Sequence, residues 1–256
     1  MDRGGGTGVA PDPERLPHHK QGRPPLIRAI RRFLRNVGTF RIPGPDRHME
    51  RFYELLRERS PQPLIADLGS GGRRHPIASV GLDLRVVPGV DVKADTMRLP
   101  FRSASFDGVV ITDVLMYVDN PFAEAAEIQR ILRPGGVLYA AEPLLYAQMT
   151  SPSRFRFTVE GLRAVFAEFA ELESGFGRSA GSAVLPLIGY YLAALFSFNS
   201  YAIYRVIVYV LMFVLTPFLW LDLGVQRYRN IPARIYTNAY FLGRAGGAGE
   251  GHSARR

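Results

Sequence analysis

Asp67-Leu68-Gly69-Ser70-Gly71-Gly72 directly follows the apolar run Leu64–Asp67 and holds the most chemically suggestive spacing in the chain. Glycines after a strand let the backbone turn tightly and approach a ligand with no Cβ in the way. A nucleotide-like ligand suits that gap, and so does a plain tight turn. Asp83, followed by Leu84, ends the next apolar run, where a carboxylate can accept hydrogen bonds from both hydroxyls of a ribose; a turn aspartate is the alternative. Asp95, followed by Thr96, ends a third run and is placed to accept a bond from an adenine amino group. Three acids at the carboxyl ends of successive strands converge on one crevice, the usual ligand position in an open α/β sheet.

Further motifs stand behind that loop in order: Gly81-Leu82-Asp83, Ala94-Asp95 with Leu99-Pro100-Phe101, Ser105-Phe106-Asp107, and Arg130-Ile131-Leu132-Arg133-Pro134-Gly135-Gly136. Together with Asp67–Gly71 they resemble the methyltransferase type 11 group of class I S-adenosylmethionine-dependent enzymes over about Leu64 to Glu142. The resemblance implies a seven-stranded, mostly parallel, Rossmann-like α/β sheet and S-adenosylmethionine as cofactor. It implies cofactor contacts at Asp67, Gly69, Ser70, Gly71, Asp83, Leu84, Asp95, Thr96 and Thr112. Two departures accompany it. The family's third glycine falls at Arg73, and fourteen positions from Gly69 to Asp83 leave room for only a turn or two of crossover helix. Where many relatives read Leu-Glu-His-Val, this chain has Leu115-Met116-Tyr117-Val118.

Methyl transfer from a sulfonium needs the acceptor in line with the S–CH3 bond, and a base only if the acceptor carries a proton. The positions expected to face the crevice are Thr112, Asp113 and Tyr117 after the fourth strand and Glu142 after the fifth. Asp113 or Glu142 is the candidate base, and Arg156 in Arg156-Phe157-Thr158 can hold an anionic group of the acceptor. Structural alternatives stay open: Asp113 as a helix cap, Glu142 as a paired internal acid, Tyr117 as a core aromatic. None of the five histidines falls at the carboxyl ends of strands four or five, although His75 follows the glycine loop.

The elements that must position these residues alternate short apolar runs with turns. Strands are expected at Leu64–Asp67, Val80–Leu84, Val90–Lys93, Phe106–Thr112, Val137–Glu142, Ala170–Gly177 and Arg234–Gly243. One helix spans Arg47 to Arg59, stopped by two prolines. A second opens at Asn120-Pro121 and closes at Arg133–Gly136, and a third runs from a Thr158 cap to Phe169. The methyltransferase domain then comprises residues 61–182 and 231–244. Before it lie a Gly/Pro-rich basic arm, residues 1–25, and N-terminal helices, residues 26–60, with a basic amphipathic helix from Leu26 to Val37; a disordered tail, 245–256, follows.

Between the sixth and seventh strands residues 183–230 form an apolar insert, whose ends must return to the same side of any membrane. Val206–Leu221, interrupted at Thr216-Pro217, and Val184–Phe198 are both short of the ~20 residues a span requires. The expectation is a helical hairpin dipping into the cytoplasmic leaflet, with Arg205, Arg227 and Arg229 near the headgroups. A soluble cap over the site or a dimer interface is the alternative.

The 256 residues suffice for one substantial core, and the absence of cysteine excludes disulfides, thiolate nucleophiles and Cys-bound zinc. A net charge of +9, nearly all arginine, suits anionic partners, and the lack of an apolar stretch in the arm points to a cytoplasmic protein at the inner membrane face. The resulting expectation is methyl transfer to a small or amphipathic acceptor such as a lipid or lipid-linked saccharide. Its rival is a catalytically weak or inactive cofactor-binding module serving as a membrane-bound partner. Nucleic-acid methylation ranks last, because an Asn-Pro-Pro-Tyr type motif and interleaved aromatic–basic patches are missing.

Overall fold

The computed structural model describes residues 47–72, 75–145, 153–177, 180–218 and 236–246. The expected arm, the 26–37 helix, Arg73, Arg227, Arg229 and the tail beyond 246 lie outside them. Within them the chain forms α1 (Arg47–Arg59), β1 (Ile65–Leu68), β2 (Val80–Asp83), β3 (Val92–Lys93), β4 (Phe106–Thr112), α2 (Pro121–Ile131) and β5 (Leu132–Pro143). It continues with α3 (Val159–Val165), β6 (Phe169–Phe176), α4 (Ala180–Phe196), α5 (Tyr201–Leu215) with a 3-10 turn at Thr216–Phe218, and β7 (Asn238–Ala245). One sheet holds all seven strands in the order β3-β2-β1-β4-β5-β7-β6. β1 to β5 run parallel, and β7 is antiparallel to both β5 and β6. The expected neighbouring of the sixth and seventh strands is therefore present.

Side-chain alternation along the central strands feeds two cores. Val109, Ile111, Leu138 and Ala140 face one side with Ile128 and Ile131 of α2 and Leu162 and Phe166 of α3. Val110, Val137 and Tyr139 face the other, covered by Phe52 and Leu56 of α1. Full burial of such side chains stabilises by about 1.5–3 kcal/mol each. α1 sits so close to β4 that a Cβ on Gly108 would lie 2.9 Å from Leu56 Cδ1 and 3.1 Å from Phe52 Cζ, so this strand position admits only glycine without repacking.

The ordered motifs are bonded to one another. Arg130 donates to the carbonyls of Phe101 (2.8 Å) and Leu99 (3.0 Å) while pairing with Glu127, which itself accepts from the Leu99 amide. Arg133 pairs with Asp107 at 2.6 Å, and Asp107 accepts from the Leu64 amide at the start of β1. Leu-Pro-Phe, Ser-Phe-Asp and the Arg-rich helix end thus form one brace beneath the sheet.

Several boundaries differ from expectation for visible reasons. β5 starts at Leu132 rather than Val137, because Leu132 pairs with Phe106 before Arg133–Gly136 bulges out and the ladder resumes at Gly108–Val137. α3 ends at Val165, four residues early, so that Phe166 and Phe169 can turn into the core and start β6. The described part of the β1–β2 connection contains turns and no helix, as the short spacing required.

α4 and α5 form the apolar hairpin before the last strand, and it packs largely on itself: Met212 is buried among Leu185, Tyr190, Val208 and Leu215. Arg205, expected near the headgroups, belongs to α5. It lies one turn beyond the Ser197–Ser200 tip, because the chain reverses there.

Candidate cofactor and acceptor site

Sheet order reverses between β1 and β4, the switch point at whose carboxyl ends an open α/β sheet takes its ligand. The glycine loop borders it. Gly69 and Gly71 take φ of +70° and +59°, the left-handed region that favours glycine. The Ser70 amide donates to the Leu82 carbonyl at 2.9 Å, tying the loop to β2. The Gly71 amide donates to Asp83 Oδ2 at 2.8 Å.

Asp83 is nearly buried, and its other oxygen accepts from the Arg85 amide (2.8 Å) and Arg85 Nε (3.2 Å). Burial works to raise this carboxyl, but the bonds from Arg85 and Gly71 outweigh it and hold the group below the usual aspartate range. It is a fixed anion at the end of β2. Three of the roughly four acceptor positions of a carboxylate are taken, one of them by a side chain that is 71% exposed.

Asp67, at the end of β1, is also buried and accepts from the His75 amide at 2.7 Å, while the His75 ring bonds the Tyr53 hydroxyl of α1. Thus His75 stays beside the glycine loop, as its position suggested. Asp95 is exposed and its carboxylate caps the next turn by accepting from the Met97 amide at 2.9 Å; Thr96 beside it is buried and Leu84 is 65% exposed. Behind them Glu124 of α2 is wholly buried, with the Thr96 side chain as its polar neighbour, favouring the charged form against burial. Burial pushes this group up to about 7, and the Asp95 charge adds to the rise.

The β4 edge carries Thr112, half-buried, and Asp113, exposed and held at φ +58° with its amide on the Ala141 carbonyl. A non-glycine residue in that region costs of order 1–3 kcal/mol and is concentrated at functional sites. Glu142 is placed differently from Asp113. It is fully buried, and its two oxygens accept from the amides of Val114 (2.9 Å), Leu115 (2.9 Å) and Met116 (3.3 Å). Burial pushes its carboxyl up to about 8, against those three donors and with Asp113 adding repulsion. Its visible task is to hold the 114–116 turn, the paired internal acid that the sequence left open. Tyr117 is 41% exposed, and Arg154 donates to its carbonyl at 2.7 Å while pairing with Asp119. Arg156 is half-buried and Thr158 caps α3 through the Gly161 amide.

Sequence reasoning missed Arg85, Val114 and Glu124. Arg85 stood in view two residues after Asp83; the other two act through tertiary packing.

These residues fit S-adenosylmethionine. The Ser70 hydroxyl is buried with no partner, and a Cβ on Gly69 would overlap Val114. Asp83 would supply the ribose acceptor, and Asp67 a buried carboxylate for the methionine ammonium. Asp95 and Thr96 would take the adenine end.

Residues 77–140 match the model of the methyltransferase domain family. A demethylmenaquinone methyltransferase of Renibacterium salmoninarum is 35% identical over 89 residues, covering 29% of this chain and 38% of that relative. An O-methyltransferase of Aspergillus nomiae is 39% identical over 59 residues, 23% of this chain and 26% of the relative. The chain therefore spans well under half the length of these curated relatives. Among solved structures, a sarcosine dimethylglycine methyltransferase from Galdieria sulphuraria superposes over 77% of this chain and 86% of its own at 13% identity, with a TM-score of 0.46. The sheet order, the glycine loop and the matched segment 77–140 agree with a class I S-adenosylmethionine-dependent methyltransferase domain.

Proposed function

We propose that this protein transfers a methyl group from S-adenosylmethionine to a small or amphipathic acceptor at a membrane face. The observation that carries this reading is shared placement. The end of β5 pairs with the start of β7 at Pro143–Asn238, and the end of β6 meets the same strand at Phe176–Ala239. The insert between β6 and β7 therefore leaves and re-enters at the carboxyl edge of the sheet, the edge that bears the crevice. An acceptor with an apolar tail can rest on the hairpin while its polar end enters the site.

The bound cofactor supplies an electrophilic methyl on a sulfonium, and the protein's part is mainly to position the acceptor and exclude water. Asp113, exposed after β4, would take a proton from the acceptor. Glu142 and the three amides it holds keep the neighbouring turn rigid. Tyr117 and Arg156 line the acceptor side, with Arg156 suited to a phosphate or carboxylate.

Isothermal calorimetry with S-adenosylhomocysteine, followed by transfer of labelled methyl from the cofactor into membrane lipid extract, tests the reading. Binding with label entering the extract is the expected result. Absence of binding overturns the cofactor assignment, and binding without transfer to any extract component favours the non-catalytic module.

A further inference from the structure

We propose that the α4–α5 hairpin crosses a lipid bilayer and presents its Ser197–Ser200 tip on the face opposite the methyltransferase domain. This rests on the membrane reading above and commits it to a topology.

Both helices are apolar on their outer sides. On α5 the exposed residues Tyr201, Ile203, Val206, Tyr209, Val210, Phe213 and Val214 cover an arc of roughly 220° at 3.6 residues per turn. A helix that docks on a protein shows an apolar stripe on the order of 100° wide with polar residues opposite. α4 adds Leu187, Ile188, Tyr191, Leu195 and Phe196, all at least 41% exposed. From residue 180 to 218 the only charged side chain is Arg205. Hydrocarbon on every side is the surrounding that such a surface fits; an interfacial helix lying flat would need a polar face.

The ends of the hairpin decide between dipping and crossing. Tyr201–Phe218 is 18 residues, about 27 Å at 1.5 Å per residue, and the apolar part of α4, Ala183–Phe196, covers about 21 Å; with the Tyr201–Arg205 turn at a boundary, both helices match a bilayer thinned locally below the usual ~30 Å of hydrocarbon. The tip is irregular backbone, with Phe198 and Asn199 at φ +47° and +58°, and carries Ser197, Asn199 and Ser200. Irregular, lipid-exposed backbone does not occur inside the hydrocarbon region, so a tip stopping at mid-bilayer is disfavoured. Arg205 is thirteen residues from Phe218, about 20 Å along the axis, so it cannot share the headgroup layer at the hairpin's base. Its guanidinium instead lies 5.9 Å from the Tyr201 ring centroid, and Tyr204 stacks on Tyr201. An arginine beside two tyrosines is a typical anchor at a membrane–water boundary. Gly189 facing Met212, with only 3.1 Å from its would-be Cβ to Cε, lets the two helices approach closely, as spanning pairs require.

The chain has no cysteine, so single replacements report position cleanly. Asn199→Cys at the tip, Tyr201→Cys one step into α5 as a second tip probe, and Ser103→Cys on an exposed turn of the sheet domain are each expressed in the full chain. Intact cells are treated with a membrane-impermeant maleimide before or after permeabilisation. Crossing predicts that the tip cysteines react in intact cells as fully as after permeabilisation, while Cys at 103 reacts only after it. Membrane-bound protein whose tip and domain cysteines both react only after permeabilisation overturns the crossing and leaves the membrane-face reading standing. Recovery of the protein in the soluble fraction overturns both, without touching cofactor binding.

Discussion

Val114 lies directly over Gly69: any Cβ built on the glycine would overlap Val114 Cγ2. Glu142 holds Val114 there through its amide, so a wholly buried acid on β5 reaches the cofactor loop of β1 through one valine.

Gly69→Ala therefore meets two penalties, the overlap and a φ of +70°. A loss of about 2 kcal/mol or more in unfolding free energy is expected, together with loss of S-adenosylhomocysteine binding. Adding Val114→Ala should restore part of the stability, read as a coupling energy in a double-mutant cycle from denaturant melts. Strict additivity would show that the contact does not matter.

Asp83 anchors the loop and would supply the ribose acceptor, so Asp83→Ala should weaken S-adenosylhomocysteine binding by about tenfold or more, since a buried acceptor to three donors is lost. Arg85→Ala should act in the opposite direction. The Arg85 side chain occupies an acceptor position that a ribose hydroxyl needs, and an exposed ion pair is worth about 0.2–1 kcal/mol, so affinity should rise by up to about fivefold. Calorimetry on both variants checks the two signs together.

Glu124 binds its proton more tightly folded than unfolded, with a pKa raised from 4.5 to about 7. Below about pH 4.5 both states are protonated and the penalty is absent. As pH rises toward 7 the unfolded chain ionises first, so stability falls, by about 3 kcal/mol in total from this group. Glu142 works in the same direction up to about pH 8. Glu124→Gln should flatten much of the slope between pH 5 and 7 in urea melts; an unchanged slope would remove Glu124 from this account.

Arg130→Ala removes the donors that hold the Leu99 and Phe101 carbonyls. The 94–105 segment that carries Asp95 and Thr96 should exchange its amide hydrogens faster, with about 1–3 kcal/mol lost in global stability. Hydrogen exchange by mass spectrometry reads the local effect separately from the global one.

The sequence by itself determined the βαβ rhythm, the glycine loop, the acids at strand ends and the apolar insert, because each is written in residues adjacent along the chain. Helix α1 and strand β4 stand at the expected bounds, since their caps, prolines and alternation are local signals. Only the tertiary structure decided that Glu142 is sealed against three amides while Asp113 stays exposed: both are acids after a strand, and burial depends on what packs across them. The same holds for the placement of Arg205 at the hairpin tip, for Arg85 on Asp83, and for the brace from Arg130 to Leu99 and Phe101. These are contacts between segments distant in sequence or set by a chain reversal, and periodicity carries no information about which distant side chain will fill a given space.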